Sequence, residues 1–414
     1  MEMKRYKLGE IGEIRMCKRI LKEETNSVGG VPFFKIGTFG GQADVFITKE
    51  KFKEYKNAYS YPKKGDILIS AAGTIGRTVV FDGKDAYFQD SNIVWIENDE
   101  SKVLNEYLFY CYKNIRWTTS IGSTILRLYN DDIRNTDIIV PHLSEQKKIS
   151  SVLSSLDDKI ALNKKINAKL EAMAKRLYDY WFVQFDFPNS EGNPYKTSGG
   201  KMVWNEVLKR EIPEGWKVKS INDISVSYRG VGYTADDEKS AEDNDVVLIL
   251  RGNNISNNHI IYDGNTVYLD KSFVSEEQKI HKYDFVMTMS SGSKEHVGKS
   301  AMFLFDSPHS YGAFCNKITP AKDCQFFLEN YLHSEYFKKY IQITCSGTGI
   351  NNLTNEHFDK AFFPFPDNEV LESFNQKIKP IYEQIGVLEK ENLRLTVLRD
   401  RLLPLLMNGQ VIVN

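Results

Sequence analysis

The sequence predicts an α+β protein: two mixed α/β domains of one design, each followed by a long helix. Three observations predict it. Segments of matching pattern recur about 225 residues apart in the 414-residue chain, a period too long for a solenoid. Each copy carries a strand, a glycine turn and a second strand in the same order. Each copy ends in a heptad series of apolar residues.

The first copy enters at Tyr6-Lys7-Leu8 and the second at Gly215-Trp216-Lys217-Val218. An apolar run with glycine after it follows, VPFFKIGTFGG at 31–41 and VVLILRGNNIS at 246–256. Then YPKKGDILISAAGTIGRTVVF (61–81) corresponds to IHKYDFVMTMSSGSKEHVGKSAMFLF (280–305), each read as strand, glycine turn, strand. Asn92 in FQDSNIVWI and Asn316 in AFCNKITP are expected to hold similar places. The helical stretches NEYLFYCYKN and LENYLHSEYFKKYI precede Ser/Gly/Thr-rich loops at 118–124 and 344–352. Pro-bounded apolar strands follow at 138–141 and 362–366.

The long helices come last in each copy. Ile149, Leu156, Asn163, Leu170 and Leu177 are spaced by seven, with Leu153, Ile160, Asn167, Ala174 and Trp181 as companions. About 225 residues on lie Phe374, Ile381, Leu388, Leu395 and Leu402, with Ile378, Ile385, Asn392, Arg399 and Leu406. This is a coiled-coil seam in both copies. Asn167 and Asn392 share one seam position, where a buried Asn would fix register and partner; a solvated seam edge is the alternative. Pro380 and Pro404 should kink or restart the second helix, because proline lacks the backbone donor. The expected layout is a first domain at 1–143, a helix at 144–183, an irregular connector at 184–213, a second domain at 214–366, a helix at 367–409 and a tail at 410–414. The connector reading rests on its clustered Pro, Gly, Ser and Asn.

Composition bounds the function. At 41% hydrophobic and 12% aromatic the chain can bury real cores. Cys17, Cys111, Cys315, Cys324 and Cys345 lie far apart with no C-x-x-C pair, which points to reduced thiols, not disulfides or zinc. No apolar leader and no uncharged run of roughly 18 residues is present, so a soluble, cytoplasmic protein with no membrane role is expected. The net charge of −1 is unusual for a nucleic-acid binder, whose affinity draws on neutralised phosphates. Any basic surface must be local, or a partner must supply it.

Catalytic signatures do not emerge. Gly292 to Ser300 resembles a phosphate loop, but five residues separate its glycines where four are needed. The seven histidines show no metal-binding spacing. Glu145-x-Lys147 and Glu277-x-Lys279 mimic part of a nuclease site, yet such triplets are common in a chain with 26% charged residues. Neither an adenine-methyltransferase motif nor a dinucleotide fingerprint occurs. A reader is favoured over an enzyme.

KKGDILIS with GTIGR (63–77), IIVPHLSEQKKI (138–149), YDYWFVQFDFPN (178–189), SGGKMVWNEVLKREIPEGW (198–216) and LRDRLLPLLMNG (398–409) together carry a resemblance. The chain resembles, over nearly its whole length, the DNA specificity subunits of Type I restriction–modification enzymes. The connector and the helices are the most specific parts. The second domain departs from G-T-I-G-R, reading SGSKEHVGKS at 291–300. The resemblance implies two target-recognition domains, each reading half of a bipartite asymmetric site on double-stranded DNA, and two spacer helices paired as an antiparallel coiled coil. It implies docking of two methyltransferase subunits, which bind S-adenosylmethionine and methylate adenine, and through them restriction/translocase subunits. This chain would bind no cofactor and catalyse nothing. A helical scaffold that never touches DNA, or a methyltransferase or nuclease with an unrecognised site, are the alternatives.

Candidate DNA contacts follow from residue chemistry in the matched loops. After the first strands come Lys35, Thr38 and Gln42, and Arg251, Asn253 and Asn254. The glycine turns hold Thr74 and Arg77, and Lys294 and Lys299. Gln89 and Asn92 could meet adenine, Asn316 is a further candidate with a buried turn residue as its alternative, and arginine is the commonest reader of guanine. Ser120, Ser123 and Arg127, and Ser346, Thr348, Asn351 and Asn352, suit phosphate and base-edge bonds. Turn formation and solvated surface charge compete with each of these roles.

Overall fold

In a computed structural model, residues 2–117, 127–262, 266–345 and 351–413 are described. The chain divides into two compact units, residues 1–162 with 392–414, and residues 163–391.

In the first unit a four-stranded antiparallel sheet runs in the order Gly12–Met16, Ile93–Asn98, Ile67–Ser70, Thr78–Val80. A second sheet orders Val45–Ile47, Val31–Phe34 and Tyr87–Phe88, the last pair parallel. Lys4–Lys7 pairs antiparallel with Asp137–Val140. The second unit repeats all three sheets. Ser225–Arg229, Cys315–Pro320, Phe285–Thr288 and Ser300–Met302 form the first. Val267–Asp270, Val246–Leu250 and Ser310–Tyr311 form the second, again with one parallel pair, and Lys217–Lys219 pairs with Phe363–Phe365.

The central strands Ile67–Ser70 and Phe285–Thr288 and the start of Ile93–Asn98 read as apolar runs because both of their faces are buried. Alternate side chains point to opposite faces of a strand. Ile67, Ile69, Val94 and Ile96 therefore enter one core, while Leu68, Ile93 and Trp95 enter another. The second unit divides Phe285, Met287 and Ile318 from Val286 and Cys315 in the same way. The cysteines are free and buried; burial pushes the Cys17 and Cys315 thiols up to about 12, so both stay protonated at neutral pH.

The expected helical stretches form at Asn105–Asn114 in the first unit, and at Gln325–Leu332 and Glu335–Thr344 in the second. The second stretch breaks because Ser334 starts a new helix, its hydroxyl accepting from Phe337 N–H at 3.2 Å.

The long helices span Leu143–Tyr178 and Asn368–Met407. A π-helical turn, Asp179–Val183, extends the first and carries Trp181 and Phe182 into the core. In the first unit Asp157 pairs with Arg399 at 2.7 Å, and Lys148 donates to the Val413 carbonyl at 3.4 Å. In the second, Asn163 donates to Glu391 at 2.7 Å, and the Tyr178 and Phe374 rings lie 6.5 Å apart. Partner numbers fall as helix numbers rise, so the pairing within each unit is antiparallel. Of the predicted seam, Ile149, Leu153, Ile160, Asn167, Phe374, Ile378, Ile385 and Leu388 are buried. Leu156, Leu170, Leu177, Ile381, Asn392, Leu395 and Leu402 are half-buried.

Of the kink or restart expected at Pro380 and Pro404, the restart does not occur, since the second helix runs through both as one element. A proline inside a helix costs about 3 kcal/mol, and here the neighbours Ile378, Tyr382 and Leu406 are anchored in cores. The connector is irregular only in part: residues 184–201 are turns and bends with one isolated bridge, but its second part folds as a hairpin, Met202–Asn205 against Arg210–Pro213. Phe185, Phe187 and Ile212 are buried beside it, with Phe187 stacked on Tyr195 at 4.6 Å and Trp216 at 5.1 Å. Its turn residues are real, but they join parts of a packed cluster. Among the described residues, no helix is long and apolar enough to cross a membrane.

Candidate nucleic-acid interface

Equivalent positions in the two units can be fixed by backbone hydrogen bonds, without reference to side-chain identity. Ser70 N–H donates to Arg77 O at 2.9 Å, and Thr288 N–H donates to Lys299 O at 2.9 Å. The preceding residues, Gly76 and Gly298, both have φ of 79°. A Cβ on Gly76 would lie 2.2 Å from Trp117, and one on Gly298 would lie 2.1 Å from Ile341. Only glycine fits either place. Despite its different letters, SGSKEHVGKS ends in the same turn as GTIGR, and Arg77 matches Lys299.

Three more pairs follow. Lys35 N–H donates to the Thr38 hydroxyl at 3.1 Å, and Arg251 N–H donates to the Asn254 amide oxygen at 2.9 Å. Lys35 thus matches Arg251. Ala71 N–H donates to Asn92 O at 2.7 Å, and Met289 N–H donates to Phe314 O at 2.8 Å. Asn92 therefore matches Phe314. Ala72 bridges Arg127, while Ser290 pairs with Asn352; Leu128 and Leu353 then donate to Ala71 and Met289 at 2.8 and 2.7 Å. Arg127 thus matches Asn352.

These loops are tied to one another within each unit. In the first, the Arg77 guanidinium donates to Phe39 O at 3.0 Å, and Arg127 donates to Ser91 O at 2.8 Å. In the second, a cleft of about 260 Å³ is lined by Arg251, Asn253, Ser290, Ser291, His296 and Phe314. Lys299 Nζ lies 3.1 Å from His296 Nδ1 at its edge.

Gln42, Thr74, Arg77, Asn253, Lys294 and Asn352 are exposed, and Lys35, Asn92, Arg127, Arg251 and Lys299 are half-buried. Several candidates are instead structural. Asn254 is fully buried, and its amide also donates to Ile261 O at 3.0 Å. The Thr38 hydroxyl serves its own turn, and the Gln89 oxygen accepts from Ile36 N–H at 3.0 Å. Asn316 is not the counterpart of Asn92. It lies inside a sheet strand, two residues past Phe314, and donates to the Ser227 hydroxyl at 2.8 Å. Matching Asn to Asn misled the sequence reading, because strand register, not residue identity, sets the place. Ser120, Ser123, Ser346, Thr348 and the side chain of Asn351 lie outside the described residues.

Sequence reasoning missed Phe314, which is 69% exposed, and His296. The signal for Phe314 was its place immediately before the central strand, the place Asn92 holds in the other copy.

The sequence profile described as Type I restriction modification DNA specificity domain matches residues 1–172 and again 213–395. The chain belongs to this family. The DNA specificity domain thus occurs twice, once in each repeat. The chain is 25% identical to the HindI specificity subunit of Haemophilus influenzae, over 99% of this chain and 100% of that one. It is 24% identical to the MjaIX specificity subunit of Methanocaldococcus jannaschii, over 99% and 96%. A second Haemophilus influenzae sequence, S.HindORF215P, is 54% identical over 175 residues, and that match spans 45% of the relative. The fold is similar to that of the S subunit of a Type I restriction–modification system from M. genitalium, with TM-score 0.55, 14% identity, and 98% and 96% of the two chains covered.

Proposed function

We propose that this chain is the sequence-reading subunit of a Type I restriction–modification complex, sensing a bipartite asymmetric site on double-stranded DNA. One observation carries the reading: the two units keep one sheet framework while changing the side chains at matched loop positions. Lys35, Arg77, Asn92 and Arg127 become Arg251, Lys299, Phe314 and Asn352. Phosphate contacts position a protein on DNA, whereas base-edge contacts specify sequence. A constant frame with changed donors and acceptors suits two different half-sites. The local cations also fit a chain of net charge −1, since the basic groups need gather only at the loops.

In this reading the paired helices hold the readers apart and receive two methyltransferase subunits. S-adenosylmethionine belongs to those subunits, restriction/translocase subunits join through them, and the complex works in the cytoplasm. The test is to exchange residues 1–143 for the corresponding domain of another family member and to map methylation in a host that also expresses the partner methyltransferase. One half of the modified site should change while the other is kept. Methylation at the original sites would refute the proposal.

A further inference from the structure

Phe314 stands largely outside the core of the second unit: 69% of it is exposed. Its backbone, in contrast, is held firmly. The Phe314 carbonyl accepts from Met289 and Ser290 N–H at 2.8 and 3.2 Å, and the next residue, Cys315, is fully buried and begins a central strand. A large apolar ring is thus presented outward from a rigid base. It stands on the rim of the cleft that also holds Arg251, Asn253 and His296. Polar donors therefore lie beside an apolar surface, which matches the major-groove edge of an A·T pair. That edge carries adenine N7 and N6 and thymine O4, and next to them the thymine C5-methyl group, whose known partners include phenylalanine.

We propose that Phe314 is a specificity-determining residue of the second domain, making apolar contact with the methyl group of a thymine in its half of the target. The inference rests on the DNA-reading function above and adds the base it seeks. It also assigns an asymmetry: the matched position in the first unit is Asn92, which offers hydrogen bonds and no comparable apolar surface.

The experiment uses the full complex with its methyltransferase. The target is first defined by methylation sequencing, and each thymine of the second half-site is then replaced by deoxyuridine, which removes only the methyl group. Binding of the unmodified complex should weaken about fourfold at one such position, the worth of one buried methylene. The Phe314→Ala complex should bind the thymine duplex more weakly by a similar factor and be indifferent to that replacement, while Phe314→Leu should keep part of the sensitivity. Indifference of the unmodified complex to every replacement overturns the inference whatever the variants do. So does a second half-site without an A·T pair, or a Phe314→Ala complex that remains sensitive. If domain exchange still alters the target, only the role of Phe314 is lost; if it does not, the DNA-reading function fails beneath it.

Discussion

Asn254 and Asn253 are neighbours with opposite tasks. Asn253 is exposed in the cleft, whereas the Asn254 amide closes a turn at one end and holds Ile261 at the other. Removing a buried hydrogen-bonding group leaves its partners unsatisfied, at about 1–3 kcal/mol. Asn254→Ala should therefore lower the unfolding free energy by about that amount in thermal or urea melts, while Asn253→Ala should stay within about 0.5 kcal/mol of the parent. Equal stability of the two variants would contradict the structural role. Both residues have the chemistry of an adenine reader, and only burial separates them.

At the scale of elements, the second unit is fastened to its helices by His259. Its Nε2 lies 3.2 Å from Glu171 on the first long helix, and its Nδ1 lies 3.0 Å from Glu389 on the second. Hydrogen bonds to Glu171 and Glu389, opposed by burial, push its pKa up to about 10. A folded-state pKa above the unfolded value, near 6.5, gives stability that is fully present below that lower value and is lost as pH rises through the higher one. The melting temperature of the parent should fall toward that of His259→Gln between pH about 6.5 and about 10. A constant gap between the two proteins over this window would rule out the ionic clamp. In the first unit burial would raise the Asp157 pKa, but Arg399 and Lys113 more than offset this and hold the carboxyl below its usual value. The two helices are therefore joined by charge as well as by the apolar seam.

At the scale of the whole molecule, the proposed function makes the helices a ruler. A heptad adds about 10 Å of helix, close to the rise of three base pairs. Inserting one heptad into each long helix should lengthen the unread gap of the target by about three base pairs and leave both half-sites unchanged. Methylation mapping reads the result, and an unchanged gap would contradict the ruler.

The duplication, the order of elements, the helix seam and the glycine turns were all legible in the linear sequence, because hydrophobic period and turn chemistry act between near neighbours in the chain. The hairpin within the connector and the continuity of the second helix through its prolines were not legible for the same reason: local composition reports on turns and lost donors, not on the distant core that overrides them. Which polar loop residues are free was decided only by tertiary structure. Asn254 and Asn253 differ in burial, and Asn316 and Phe314 in register and burial, and these arise from how distant stretches of chain pair and pack. A side chain's chemistry is written in its letter, but its availability depends on what the rest of the fold packs against it.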